Sequence, residues 1–204
     1  MRLQPPQFQN ITIERGRFAP FWMQWLQQLH TLLGFGSQTI YRDCFCGGSQ
    51  AEAWVGDTSL AAVDGDLTAP QLRNGQDDGR IAEFRLPNDY KDGTDLEPFA
   101  VWAPSSAAAG NVVIELSYAA SDEGTALSET AESMTTAVPE TAYAPTRTDF
   151  TAISGTNLVK GSIVIFGAMR DGDAVADSYG ADCVFLGVGF KYQAEGIGHE
   201  KAFP

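Results

Sequence analysis

Residues 84–118 read FRLPNDYKDGTDLEPFAVWAPSSAAAGNVVIELSY, and the expected architecture follows from this segment. The run from Val112 to Tyr118 alternates apolar and polar residues with a period of two, which places one face of a strand in a core and the other in solvent. An earlier apolar run ends at Trp102, and the connecting loop 104–110 (PSSAAAG) is bounded by Pro and Gly. Turn-forming residues fill 87–93 (PNDYKDG). The segment therefore predicts antiparallel strands of a β-sandwich with decorated loops.

Two further strands are predicted near the C-terminus, at 162–170 (SIVIFGAMR) and 184–192 (VFLGVGFKY). Four large side chains of the second strand are expected to share one face: Leu186, Val188, Phe190 and Tyr192. Gly187 and Gly189 then lie on the opposite face, where small residues let another sheet or another subunit approach closely.

These segments resemble a family of tailed-bacteriophage virion proteins. The shared order is Leu-Pro-x-Asp-Tyr-x-x-Gly-Thr-Asp-Leu at 86–96, then Val-Trp-Ala-Pro at 101–104, then Gly-Asn-Val-Val-x-x-Leu-x-Tyr at 110–118. The closing strands are similar to those of the same family, so the matches cover 81–118 and 162–193.

The chain departs from the family pattern immediately before Trp102. Histidines often stand there in the family, whereas this chain has Phe99-Ala100-Val101, so no role of those histidines is carried over. Members of the family are known as head fibres, capsid decoration (cement) proteins and tail-fibre-like proteins. The resemblance implies a jelly-roll-like sandwich and a virion component assembled in the host cytoplasm, but it leaves the position on the particle open.

Composition restricts the possible partners. The 204 residues include 44% hydrophobic residues, which favours a globular chain with a real core. Thirteen basic and 26 acidic residues give a net charge of −13, which argues against nucleic acid or an anionic membrane as partner. The N-terminus lacks the apolar core of a signal peptide, and no apolar run approaches a membrane span.

Residues 1–36 are predicted to form an anchoring or oligomerisation segment ahead of the sandwich. The first part, 1–17, is interpreted as an extended arm that either lies along another chain or is disordered. The residues of the arm expected to contact a partner are Pro5, Pro6, Phe8, Ile11 and Ile13.

A short α-helix is predicted at 20–33 (PFWMQWLQQLHTLL), ending at Gly34. Its apolar residues follow steps of four and three, which is typical of a seam between helices. The predicted oligomer-interface residues are Phe18, Trp22, Trp25, Leu26, Leu29, Leu32 and Leu33. We expect identical chains to meet here as a homotrimer; the alternative is a helix that packs on its own β-domain.

Residues 37–204 are predicted to form the β-sandwich domain. Short strands between turns are expected in its first part, one of them at Ala53-Trp54-Val55. The polar segment 119–149 is predicted to be one long loop, which faces outward or contacts a neighbour.

No metal or cofactor is predicted. Cys44 and Cys46 supply two possible ligands, but the only histidines, His30 and His199, do not complete a zinc motif, so the thiols are interpreted as reduced. The loop 171–182 carries Asp at 171, 173, 177 and 182 without the Gly and final Glu of a calcium loop, and whether it binds a cation stays open.

Three classes of function compete. The sequence has no nucleophile motif, no phosphate-binding loop and no His-containing metal motif, so we predict no enzymatic activity, although two carboxylates alone suffice for glycoside hydrolysis. Trp54, Tyr90 and Trp102 stand near turn residues and could form a sugar platform, as in a receptor-binding protein that recognises a host glycan. The favoured interpretation of these aromatics is burial, because Trp102 follows a strand whose residues are expected to be buried. The preferred prediction is a trimeric capsid decoration or head-fibre protein whose partners are its own copies and the major capsid protein.

Overall fold

The computed structural model describes residues 13–14, 17–18, 39–56, 59–64 and 67–195. All regular secondary structure in these ranges is β-strand. No helix in the described part of the chain is long and apolar enough to span a membrane.

The described strands are numbered in chain order. They are β1 (Ile13–Glu14), β2 (Arg17–Phe18), β3 (Ile40–Gly47), β4 (Glu52–Val55), β5 (Leu60–Asp64), β6 (Leu67–Leu72), β7 (Asp77–Arg85), β8 (Leu96–Pro104), β9 (Asn111–Ser121), β10 (Thr130–Ala137), β11 (Thr146–Asp149), β12 (Ile163–Asp171) and β13 (Cys183–Ala194).

The chain divides into two compact units. One comprises residues 1–40 and 196–204, and the other comprises residues 41–195. Within the first unit, β1 pairs antiparallel with β2, and Ile13 lies opposite Phe18.

The predicted fold class is wrong in including a short α-helix, since the described residues contain none. Phe18, the first residue of the predicted helical seam, lies in β2. Only Arg15-Gly16 separates β1 from β2 in the sequence, and short connections containing Gly favour a hairpin. Residues 20–33, to which the helix was assigned, lie outside the described residues.

The second unit is a sandwich of two antiparallel sheets, so this part of the fold prediction is confirmed. We call the sheet with strand order β10-β9-β12-β7-β4 the front sheet and the sheet with order β11-β8-β13-β6-β5 the back sheet; β3 also pairs with β13. Strands β6 to β13 are divided between the sheets in the order of an eight-stranded jelly roll.

The core lies between the inner faces of the two sheets. Trp102 on β8 is fully buried, and its Nε1 donates a hydrogen bond of 3.0 Å to Thr148 Oγ1. Phe84, Phe166 and Phe190 pack edge to face or tilted, with ring centroids 5.4–5.9 Å apart. Such pairs add to the stabilisation that apolar burial supplies.

The inner face predicted for β9 is buried, with Val112, Ile114 and Leu116 in the core, but the opposite face is not simply in solvent, since Val113 and Ser117 are buried too. The segment 119–149, in contrast, is not a long loop. It contains the end of β9, the whole of β10, which pairs with β9 over eight residues, and the whole of β11. β10 is an edge strand with a mostly exposed surface, so its polar composition, which favoured a loop in the sequence, is compatible with a sheet.

One residue of β13 lies on the face opposite to the one predicted. The pairing of β13 with β8 shifts register between Phe185 and Gly187, and such a bulge changes the direction of the side chains beside it. Leu186 consequently packs against a small cluster of Ala69, Ala103 and Val184, whereas Val188 faces the core.

A close approach to Gly187 and Gly189 is present, but β3 of the same chain makes it, and not another sheet or another subunit, which were expected from the sequence. A Cβ at Gly189 would lie 2.3 Å from the carbonyl oxygen of Cys44. A Cβ at Gly187 would lie 2.4 Å from the carbonyl oxygen of Cys46. The two glycines therefore allow β3 to join the back sheet.

Candidate functional site

The front sheet presents an outer face away from the core. Side chains alternate along each strand, so the residues between the buried positions of β7, β9 and β12 point outward. The register aligns Ile81 on β7 with Gly167 on β12, and Gly167 with Ser117 on β9. In the next row towards the start of β7, Gly79 lies opposite Met169.

Trp54 lies across this outer face. The pairing of β4 with β7 shifts register between Ala53 and Val55, and Trp54 is the residue at this irregularity. A Cβ at Gly167 would lie 2.7 Å from the indole atoms Cε3 and Cζ3, and a Cβ at Gly79 would lie 3.2 Å from Cε3. The indole therefore rests on bare backbone of two adjacent strands, and it remains partly exposed.

A shallow groove adjoins the indole, and we call it the front groove. Its volume is about 170 Å³. The lining residues are Trp54, Ile81, Ser117, Tyr118, Ala119, Glu129, Ile165 and Gly167. The groove thus combines an aromatic surface and aliphatic walls with a hydroxyl and a carboxylate.

Three carboxylates meet near one end of this face. Asp77 lies opposite Asp171 across the β7–β12 pair, and oxygens of Asp77, Asp171 and Asp173 lie within 4.8 Å of one another. Oδ1 of Asp77 is buried and has no hydrogen-bond partner. Burial raises the pKa of Asp171 above its usual value, and the Asp173 carboxyl and the charges of Asp77 and Glu115 add to the effect.

Carboxylate oxygens are the ligands that calcium prefers, but calcium takes about six to eight oxygens and this set supplies only part of them. What the set establishes is a concentration of negative charge two residues beyond Gly79 on β7.

The remaining carboxylates of the loop 171–182 are occupied by protein donors. Asp177 forms a two-pronged ion pair with Arg170, at 2.7 and 2.9 Å, and both side chains are fully buried. Asp182 accepts hydrogen bonds from Gln71 Nε2 at 2.6 Å and from the Asn74 amide at 2.8 Å. Two of the four predicted loop carboxylates therefore organise the loop.

The three residues of the predicted sugar platform do not come together. Trp102 and Tyr90 are fully buried, and the Tyr90 hydroxyl donates to the carbonyl of Thr94. Trp54 alone of the three reaches the surface groove.

The predicted oligomer-interface and arm residues are mostly outside the described residues. Ile13 and Phe18 lie in β1 and β2. The following lie outside the described residues: Pro5, Pro6, Phe8, Ile11, Trp22, Trp25, Leu26, Leu29, Leu32 and Leu33.

Sequence reasoning missed the residues that support and surround Trp54. Gly79, Gly167, Ile81 and Ser117 belong to three strands whose register is not visible in the sequence. A glycine between apolar strand residues, as at Gly167, is the one available signal, because such a glycine often marks a close approach by another group.

Comparison with known proteins finds structural likeness only. No protein-family model and no curated protein sequence matches the chain. A CBM36 domain of a xylanase from the hindgut metagenome of Trinervitermes trinervoides is 11% identical, with 73% of this chain and 96% of that chain covered and a TM-score of 0.40. Latent PorU of Porphyromonas gingivalis is 15% identical, with 76% and 13% covered and a TM-score of 0.38.

A third similar structure is the family 11 carbohydrate-binding module of Clostridium thermocellum, solved in complex with a mixed-linked tetrasaccharide. It is 12% identical, with 78% of this chain and 91% of that chain covered and a TM-score of 0.33.

Proposed function

We propose that the chain is a non-enzymatic structural protein of a tailed-bacteriophage virion, a capsid decoration (cement) or head-fibre protein. In this role it acts as a homotrimer that binds and stabilises the assembled capsid. The observation that carries the proposal is that the residues resembling the virion family form the framework of the sandwich.

The first of these segments, 86–96, fastens a turn to the strands around it. Tyr90 is buried there, and the Asp95 carboxylate accepts a hydrogen bond of 3.0 Å from the Gly155 amide. Asp89 accepts one of 3.0 Å from the Tyr192 hydroxyl. Gly93 has φ of +78°, a conformation that favours glycine.

Residues of the other two segments, 101–104 and 110–118, also make contacts that explain their identity. Trp102 fills the core and pairs with Thr148, and a Cβ at Gly110 would lie 2.8 Å from the Cα of Tyr179. The shared residues are therefore those that this sandwich requires for its own folding. This supports a common scaffold with the virion family and leaves the exposed surfaces free to differ between its members.

The proposal assigns no enzymatic activity to the chain, because the sequence has no nucleophile motif, no phosphate-binding loop and no His-containing metal motif. Hydrolysis of a glycan by the purified chain would contradict this part of the proposal.

The proposal is tested by light scattering of the purified full chain, followed by co-sedimentation with empty capsids of the encoding phage. We expect a trimer that saturates capsids in many copies. An unrelated acidic protein of similar charge serves as the control, because non-specific attraction would sediment both. A monomer that stays in the supernatant at all capsid concentrations would contradict the proposal.

A second candidate function is that of a tail-fibre or receptor-binding protein that recognises a host-surface glycan. The specific observation in its favour is the partly exposed indole of Trp54 in the front groove. The copy number separates the candidates, because a decoration protein covers the capsid in many copies and a receptor binder is present in few copies at the tail.

A further inference from the structure

We infer that the front groove is a binding site for one neutral pyranose residue of a glycan, with Trp54 as its stacking surface. The inference deepens the second candidate function and rests on it. Attachment to the capsid is a separate property, so the two are tested by separate measurements.

The position of the indole supports a binding role. Trp54 lies on the outer side of the sheet, where it adds nothing to the core between the two sheets. Glycine at both positions beneath it, Gly79 and Gly167, lets the ring lie close to the backbone. A large side chain at either position would push the ring away from the sheet, so these residues together form a flat, supported aromatic surface.

The lining chemistry matches a ligand with one apolar face and polar edges. Ile81 and Ile165 contribute apolar side chains to the lining beside the indole, and Glu129 contributes a carboxylate. A pyranose ring has this character: its C–H groups form an apolar face that suits the negative face of an aromatic ring, and its hydroxyls donate to carboxylates. A volume of about 170 Å³ is below the usual range for drug-sized ligands and fits a single ring.

The charge around the groove selects against acidic ligands. Glu129 lines the groove, and Asp77, Asp171, Asp173 and Glu115 form the negative region beyond Gly79. A stacked nucleotide or a uronic or sialic acid would bring a further negative charge to this face, which like-charge repulsion opposes. A neutral saccharide is the occupant that agrees with both the stacking surface and the charge.

The experiment is saturation-transfer-difference NMR on the 204-residue chain. The probes are lactose, maltose and N,N′-diacetylchitobiose as neutral saccharides, with sialyllactose as the acidic one. We expect transfer to ring C–H protons of at least one neutral probe, and weaker transfer to sialyllactose than to lactose. Trp54→Ala should reduce the transfer about tenfold or more, as loss of a stacking aromatic does elsewhere, and Trp54→Phe should retain part of it.

Tyr41→Ala is the matched control, because it removes another exposed aromatic side chain, on β3 beside the back sheet. Far-UV circular dichroism checks that each variant keeps its β signal. The inference is overturned if no neutral probe shows transfer, or if folded Trp54→Ala binds as well as the wild type. Neither result alters the capsid co-sedimentation, so the decoration proposal stands or fails separately.

Discussion

Arg170 organises the loop that follows β12. Its guanidinium pairs with both oxygens of Asp177 and also donates to the carbonyls of Tyr179 and Ala181, at 2.7 and 2.8 Å. The Tyr179 hydroxyl in turn accepts a hydrogen bond of 2.9 Å from the Ser106 amide. A buried charge with this many partners fixes the conformation of a loop that composition alone described only as acidic.

Breaking the buried pair should be far more costly than breaking an exposed one. Asp177→Asn leaves Arg170 buried without its counter-charge, and we expect a loss of about 3–5 kcal/mol in the free energy of unfolding. Asp149→Asn is the matched control, because it removes the same group from a pair with Arg147 whose side chains are 67% and 41% exposed; its loss should stay below about 1 kcal/mol. Urea unfolding measures both, and equal losses would contradict the assigned role of Arg170.

Asp171 should make the protein less stable as the pH rises. Its pKa is raised in the folded state, chiefly by burial and then by the carboxyl of Asp173. As the pH falls, the Asp171 carboxyl therefore binds its proton at a higher pH in the folded protein than in the unfolded chain. The contribution to stability is fully present below the unfolded pKa and is lost as the pH rises through the folded pKa.

Asp171→Asn should remove this penalty. We expect the variant to be more stable than the wild type at neutral pH, with the difference shrinking as the pH falls through the pKa of Asp171. Urea midpoints across the acidic range measure it. Glu83→Gln, an exposed carboxylate on the same face of the front sheet, is the control. An Asp171→Asn variant that is less stable than the wild type at neutral pH would show that the carboxylate has a favourable partner there.

At the scale of elements, β3 depends on the small residues of β13. Gly189→Ala would bring a Cβ to 2.3 Å from the Cys44 carbonyl oxygen, and backbone cannot give way as a flexible side chain does. We expect a loss of about 1–3 kcal/mol and faster hydrogen exchange of the β3 amides. Gly180→Ala is the control, since a Cβ there meets nothing within 4 Å. Unchanged exchange in Gly189→Ala would contradict the pairing of β3 with β13.

The strands with one buried face could be predicted from the sequence, and those at the edges could not. β9 has apolar residues at every second position because its inner face is buried. β10 has no such pattern, since it is an edge strand with little buried surface, and only the pairing with β9 defines it. Leu186 was assigned to the wrong face because a bulge interrupts the period of two without any mark in the pattern.

The candidate site could be predicted only in part, because it depends on which residues of neighbouring strands lie side by side. The sequence offered Trp54, Tyr90 and Trp102 together as a possible sugar platform while favouring burial, and Tyr90 and Trp102 are indeed buried. What separates Trp54 from these two is the register shift in β4 and the presence of Gly79 and Gly167 on neighbouring strands. Cross-strand neighbours depend on the topology of the whole sandwich, which a local pattern does not contain.

At the scale of the whole molecule, the motifs that resemble the virion family lie mainly in the framework of the sandwich. The residues that resemble the virion family are buried or fasten turns, as Tyr90 and Trp102 do. The front groove combines residues from inside and outside the matched segments: Ser117 and Gly167 lie within them, whereas Trp54 and Glu129 do not. The resemblance therefore covers the framework and part of the groove, and it does not include Trp54, on which the inferred stacking depends.

The central claim, that the chain is a structural component of a virion, is tested most directly by immunogold labelling of purified particles of the encoding phage. The account predicts gold on the capsids of nearly all particles, because a decoration protein covers the lattice in many copies. Label confined to the tail would favour the receptor-binding function. Particles without label, from a lysate in which the chain remains unassembled, would contradict the claim.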